Sequence, residues 1–397
     1  MAKLIYIILD GLGDRPIREL GYKTPLEAAS KPNWDLLAKK AQLGMHWAIA
    51  KNFAPESDAA TLALLGYNPF KYYTGRGPLE AYGADINLRR GELAIRCNFA
   101  LEEKNYLKEI EANVSDLVAK KICSELNKNV KKINSIKTKI YATKGYRAVL
   151  ILKGKGLSTA VSGNHPGYKQ FKGSVSVALR SRKGRIKLCK ALAKTSSAKK
   201  TANILNTWLL LANKYLKNSK YSNLTNTILL RGIGTKIPNL PKRPGWAALV
   251  AMPAERAISK LAGMHIYKLK LEKLHNQLEQ LIKNYSAIYV HIKQPDSYSH
   301  LGNFFAKKSF FEKFDTFFAK YLCSKKLVNC LLCITGDHTT PCKIRAHTGD
   351  PVPVMLYLPG QKGDNLAFGE RNCAKGSLGK LTGLKLFNKL SNLLKNG

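Results

Sequence analysis

Seven side chains in three short clusters have the makeup of a two-ion phosphoryl-transfer site. They are Asp10 in YIILDGLGD, Ser57 in PESDAATLALLGYNP, and Asp296, His300, Asp337, His338 and His347 in KQPDSYSHLGN and TGDHTTPCKIRAHTGDPVP. Two divalent ions require mixed carboxylates and imidazoles, and a serine hydroxyl needs a cation beside it to ionise near neutral pH. Singly, each residue has a plainer reading. Asp10, after the run LIYIIL, could be a turn former or helix cap, and Ser57, ahead of Leu62, Leu64 and Leu65, an ordinary N-cap. Jointly they are more specific. Asp296 and His300 lie four apart, on one face of a helix starting there. Asp337 and His338 follow the apolar run LLCITG, and α/β sheets present reactive groups at the carboxyl ends of their strands. His347 follows in a loop stiffened by Pro351 and Pro353, whereas His46, His165, His265, His275 and His291 read as structural.

The elements that must position these residues fall into three pieces. Residues 1–85 read as strand LIYIIL, helix PNWDLLAKKAQ and the Ser57 helix, followed by a turn-rich connector with YNP at 67–69 and TGRGP at 74–78. Residues 86–240 differ, with RAVLILKG as a strand and TANILNTWLLLANKYLK as an amphipathic helix over Thr201 to Lys217. The segment TKIPNLPKRPG, with three prolines, reads as a linker. Across 241–397 the alternation resumes with AIYVHIK, FFEKFDTFFAKYL, VNCLLCIT and VPVMLYL. The candidate ligands fall only in the first and last pieces. A catalytic α/β domain split by an insertion is the simplest account.

At 397 residues the chain suggests two domains, and 45% apolar residues suffice for ordinary cores. No apolar run approaches the roughly 20 residues of a membrane span, so no membrane partner is expected. The opening MAKLIYIILDG runs straight into Asp10 and Gly11 with no small-residue cleavage site, and reads as a buried first strand. Eight scattered cysteines, with Cys330 and Cys333 the one CxxC pair, read as reduced buried thiols of a cytoplasmic protein. The net charge is +40, and it is unevenly placed: 27 Lys and Arg but no Asp or Glu lie between Leu126 and Ala254. A basic surface can attract phosphorylated substrates or nucleic acid. The abundance of Lys and Asn throughout points instead to compositional bias. With no aromatic interleaving and no recognised motif, nucleic acid is not the expected partner.

The chain resembles the archaeal-type cofactor-independent phosphoglycerate mutases of the alkaline phosphatase superfamily. The resemblance runs nearly end to end and is most specific in ILDGLGDRP, SDAATLALLGYNP, YTGRGPLEAYG, RCNFA, HIKQPDSYSH, GDHTTPC and HTGDPVP. It implies an alkaline-phosphatase-like, doubly wound core sheet interrupted by an inserted smaller α/β domain. It implies interconversion of 3-phosphoglycerate and 2-phosphoglycerate, in glycolysis and gluconeogenesis, with two divalent ions and no 2,3-bisphosphoglycerate. One ion would take Asp10, Ser57, Asp337 and His338, the other Asp296, His300 and His347. Manganese, zinc, cobalt or magnesium suits that set, manganese being favoured. Ser57 would attack the phosphoryl group and become phosphoserine while the freed glycerate stays in the cleft, shielded from water by the inserted domain. Arg76, Arg96, Asn98, Arg256 and Lys293 are the candidate phosphate or carboxylate contacts.

Several positions depart from the family pattern. Glu56 stands before Ser57 where Gly is usual, Thr61 where Asn is usual, and Ser299 and Leu301 flank His300 in place of Gly and Asp. Gly163 and His165 replace acidic residues, and Arg256 replaces a lysine. None removes a metal ligand. They bear on glycerate, because related mutases hold its hydroxyls with carboxylates of the inserted domain. A metal-dependent phosphohydrolase or phosphotransferase on another small phosphate ester is therefore the alternative. A non-catalytic anion- or nucleic-acid-binding protein stands third, since it has no need of seven ligands.

Overall fold

A computed structural model describes residues 3–179 and 184–396. Arg180, Arg182 and Lys183 of the basic stretch lie outside the described residues.

Leu4–Leu9 forms the centre of an eight-stranded sheet because every residue in LIYIIL is apolar, as a strand covered on both faces requires. It pairs in parallel with Ala287–Ile292 on one side and Leu331–Thr335 on the other. The order continues outward through Trp246–Val250 to His265–Lys268, and through Val352–Tyr357 and Ala41–Trp47 to Gly379–Thr382. Only Val352–Tyr357 runs against the rest. Alternate residues of the central strand face opposite layers. Ile5, Ile7 and Leu9 pack with Leu37, Leu278 and Phe311, whereas Leu4, Tyr6 and Ile8 pack with Leu62, Ile258 and Leu386. Helices thus cover both faces, the doubly wound arrangement that the strand–helix alternation predicts.

Ala41–Trp47 and Gly379–Thr382 escape the sequence reading. The first has Gln42 and Gly44 interrupting its apolar residues, and the second is half polar. The connector reading is also corrected at TGRGP. A helix runs over Arg76–Gly83, with Pro78 in its first turn, where the missing N–H costs nothing. Gly75, at φ 112°, supplies the turn into it.

Strands between 92 and 234 build a second sheet. Its order is Thr227–Gly234, Glu92–Glu103, Arg147–Lys153, Ile136–Ala142 and Lys132–Ile133, with Tyr106–Glu109 added on Glu92–Glu103. Leu93, Ile95, Cys97 and Phe99 bury one face against the helices Asp116–Asn129 and Ser196–Lys217. A hairpin, Tyr168–Lys172 with Val175–Ala178, reaches back to the first sheet. Val175 joins that sheet's apolar layer, Ala178 N–H donates to the Ala54 carbonyl (3.0 Å), and Phe171 meets Phe53 edge-on at 5.2 Å.

A candidate two-ion site at the sheet edge

The parallel strands all end on one edge, and the ligand candidates follow those ends directly. Asp10 follows Leu9, Lys293 and Asp296 follow Ile292, and Asp337 and His338 follow Thr335. Because Val352–Tyr357 runs the other way, its start brings His347 to the same edge. The four-residue spacing works as expected: Gln294–Leu301 is helical, with Pro295 in its first turn and Gly302 (φ 74°) ending it. Asp296 Oδ2 and His300 Nε2 lie 3.2 Å apart.

Two groups of ligand atoms result, Asp10, Asp337 and His338 in one and Asp296, His300 and His347 in the other, each within 4.8 Å. In the first, His338 Nε2 lies 3.2 Å from Asp10 Oδ1 and 3.3 Å from Asp337 Oδ2. Those two carboxylate oxygens are buried and have no hydrogen-bond donor among the described residues. Buried charged oxygens are costly to leave unpaired, and a cation between them resolves the cost. The imidazoles are oriented for the same purpose. His347 Nδ1 contacts the Pro55 carbonyl at 2.7 Å, and His300 Nδ1 the Arg345 carbonyl at 3.0 Å. His338 Nδ1 lies 2.9 Å from the Thr340 hydroxyl, which donates to Asp296 Oδ1 at 2.9 Å. Each ring's Nε2 therefore faces the cluster, as in histidines fixed by a second shell of hydrogen bonds. The residues fit divalent ions.

Ser57 is not the N-cap of its helix. Glu56 holds that position, and Ser57 is the first helical residue, with its Oγ 3.2 Å from His338 Nε2. Its hydroxyl is therefore free of capping duty and shares an imidazole with the first ligand group. Lys293 spans the two groups, pairing with Asp10 Oδ2 at 2.8 Å and Asp296 Oδ2 at 2.6 Å. Burial alone would raise both carboxyls. For Asp10, Lys293 overcomes burial, and for Asp296, His300 and Lys293 do, holding both below the ordinary carboxylate range. Burial and the neighbouring His338 hold the His347 imidazole well below its usual value, in the neutral form a ligand needs.

Opposite this edge the second sheet forms the wall of a cavity of about 330 Å³, the size of a small-ligand site. Ser57, Asp296, His300 and His347 line one side, and Arg96, Arg147, Arg231 and Lys144 the other. Arg76 and Arg96 reach it as expected and share Glu80, at 3.4 and 3.3 Å. Asn98 lies buried behind the wall, its amide donating to the Ile110 carbonyl. Arg256 points to solvent and pairs with Asp85 at 3.1 Å, because it lies on the outer face of its helix, away from the cavity. The wall is not acid-free either: Glu111 and Asp116, just ahead of the basic stretch, both line it. Sequence reasoning missed Arg147, Arg231, Thr340 and these two acids. The hint for Arg231 was a lone arginine in the apolar strand TILLRGIG.

Profile comparison matches residues 38–222 to 2,3-bisphosphoglycerate-independent phosphoglycerate mutase and 253–391 to the Metalloenzyme superfamily. A protein of the first description from Aeropyrum pernix is 36% identical, aligned over 96% of each chain. Another from Methanosphaera stadtmanae is 32% identical over 96% of this chain and 95% of its own. Among solved structures, the PH0037 protein from Pyrococcus horikoshii covers 100% of this chain and 98% of its own, with TM-score 0.76 and 27% identity. The cofactor-independent phosphoglycerate mutase from Thermoplasma acidophilum covers 99% and 100%, with TM-score 0.59 and 26% identity. The superfamily match and the two ligand groups together establish dependence on divalent metal. With relatives above 30% identity along nearly its whole length, this chain belongs to the family of 2,3-bisphosphoglycerate-independent phosphoglycerate mutases.

Proposed function

We propose that the chain interconverts 3-phosphoglycerate and 2-phosphoglycerate in the cytoplasm through a phosphoserine at Ser57. The observation that carries the reading is the placement of Ser57 Oγ, 3.2 Å from His338 Nε2, in a cavity lined by arginines and lysines. Asp10, Ser57, Asp337 and His338 would hold one divalent ion and Asp296, His300 and His347 the other, manganese being the favoured metal. Bound there, the ions lower the pKa of the serine hydroxyl and neutralise charge on the phosphoryl oxygens.

The chain's own groups do the rest. Arg76, Arg96 and Lys293 attract the phosphate and carboxylate of the substrate into the cavity. Ser57 Oγ bonds to phosphorus as the ester bond to glycerate breaks. Glu111 and Asp116 supply acceptors for glycerate hydroxyls, the role that the basic stretch cannot fill. The freed glycerate turns and takes the phosphoryl back on its other hydroxyl. Residues 86–240, the inserted domain in this reading, keep water out meanwhile. The eight unpaired cysteines, seven of them buried, suit a reducing compartment.

The test is a manganese-supplemented assay on 3-phosphoglycerate that reads both 2-phosphoglycerate and free phosphate. Mostly 2-phosphoglycerate, lost in Ser57→Ala, supports the mutase. Mostly free phosphate would move the assignment to a phosphohydrolase.

A further inference from the structure

Two arginines of the cavity wall face each other across adjacent strands. Arg96 and Arg231 are direct partners in the antiparallel pairing of Glu92–Glu103 with Thr227–Gly234. Like charges directly opposite destabilise a sheet unless each is compensated. Arg96 is compensated by Glu80. Arg231 is compensated by Glu56, the residue immediately before Ser57, which forms a direct ion pair with it. The guanidinium also stacks on Tyr168 at 4.2 Å, and its Nε has no hydrogen-bond partner among the described residues. Burial draws Arg231 down to about 9, so it is still a cation at neutral pH. A register shift between Arg231 and Gly234 marks a bulge that aims this strand end at the cavity. The same strip of loop is held by backbone: Pro55 bridges to Val177, and Ala54 accepts from Ala178.

An arginine beside the phosphoryl-accepting serine, with unused donors, held by a carboxylate at the neighbouring residue, has the makings of an exchangeable contact. We propose that Arg231 holds the phosphoryl group on Ser57, and that Glu56 is its resting counter-ion, displaced by a phosphoryl oxygen when Ser57 is loaded. This rests on the phosphoserine reading above and adds a specificity element to it. Glu56 competes with the incoming anion. It thereby weakens the capture of simple phosphates and fastens the second sheet over Ser57 whenever the site is empty.

The experiment compares wild type with Glu56→Gln, Glu56→Gly and Arg231→Lys, all with manganese. The readouts are KM for 3-phosphoglycerate, the ratio of free phosphate to 2-phosphoglycerate, and the lifetime of quenched phosphoserine. Arg231→Lys should raise KM about tenfold and shorten the phosphoserine lifetime, because a lysine cannot give the bidentate contact. Glu56→Gln should lower KM about threefold by removing the competitor, an effect that loss of a merely structural pair does not produce. Glu56→Gly, which restores the residue usual in the family, gives the same test should the glutamine variant fold poorly. KM and lifetime within twofold of wild type in Arg231→Lys would overturn the proposal, as would a raised KM in both Glu56 variants. If wild type makes no 2-phosphoglycerate, the mutase reading fails separately. Phosphoserine lifetime is then read with 4-nitrophenyl phosphate as donor, and the same outcomes decide.

Discussion

The ligand-bearing edge of the eight-stranded sheet and the arginine-bearing wall of the second sheet enclose one cavity, yet they are built on different terms. On the edge, Asp10, Asp296, Asp337 and His338 follow the ends of parallel strands within four residues, and His300 lies one turn beyond Asp296 on the same helix. The antiparallel strand Val352–Tyr357 brings in His347, so backbone geometry does most of the placing. On the wall, Arg96 and Arg231 are interior residues of strands, aimed by cross-strand register and held by Glu80 and Glu56 from elsewhere in the chain, while Arg147 opens its strand opposite Asn98. Local geometry therefore fixes the chemistry, and long-range pairing fixes recognition. That division suits an enzyme that must keep one and adjust the other.

The largest expected effect breaks the edge. Ser57→Ala should lower turnover by at least about 10⁴-fold while retaining the fold, as measured by circular dichroism and steady-state kinetics, since removal of a nucleophile is rarely rescued by the rest of its site. Turnover within tenfold of wild type would refute the role proposed for Ser57. His300→Ala and His338→Ala sharpen the same point. Each should lose about one equivalent of metal by elemental analysis, from different groups, and a common loss of both would merge the two sites into one.

The contrast between edge and wall also explains how much the sequence disclosed. Strand LIYIIL, the Asp296–His300 turn and the pair Asp337–His338 are readable because each signal lies within a few consecutive residues. Arg231 and Arg147 were not readable. Their meaning depends on which residue sits across a strand pair, and among 66 basic residues a lone arginine on an apolar strand is too slight a mark to single them out. The outer strands Ala41–Trp47 and Gly379–Thr382 were missed because glycine and polar residues blur their alternation. Arg256 was a candidate because it stands where the family has a lysine, but helical phase turns it outward. Glu111 and Asp116 restore carboxylates to a wall that the charge distribution suggested had none.

A wall substitution should act more on binding and stability than on metal content. Glu80 is fully buried and serves Arg76, Arg96 and Thr143 together. Removing its charge leaves buried Arg96 without its carboxylate and Arg76 with Asp58 alone, a loss on the order of 3–5 kcal/mol. Glu80→Gln should therefore unfold at markedly lower denaturant concentration and show a raised KM, with metal content unchanged. A metal content that falls in step with stability would show that edge and wall do not separate.

Acid should act first on the edge. His46, fully buried on Ala41–Trp47, contacts the Thr335 hydroxyl at 2.6 Å and the Gly336 carbonyl at 3.1 Å, immediately before Asp337. Burial lowers its pKa from 6.5 to about 4, so the folded state favours the neutral ring. A depressed value contributes stability above the unfolded pKa and loses it as pH falls through the folded one. The window therefore runs from pH 6.5 down to about 4, with a total on the order of 3 kcal/mol. Denaturant titrations at pH 7 and pH 4.5 should show this drop in wild type and a smaller one in His46→Asn. An equal drop in both would remove His46 from the account.

The smallest expected effect is at Arg256, and it separates charge near the cavity from charge in it. Its guanidinium is exposed and meets Asp85, itself exposed, 3.1 Å away on the outer surface. Asp85 keeps a second partner in Lys260, so even the ion pair is not lost as a whole. Exposed pairs contribute about 0–1 kcal/mol, and salt screens what remains. Arg256→Ala should accordingly leave KM within about twofold of wild type, since only a screened, distant charge is removed. Arg96→Ala, with the same formal charge change inside the wall, should raise KM far more. If the two variants weaken 3-phosphoglycerate binding equally, then net positive charge captures the substrate, and the placement of arginines by strand register counts for little.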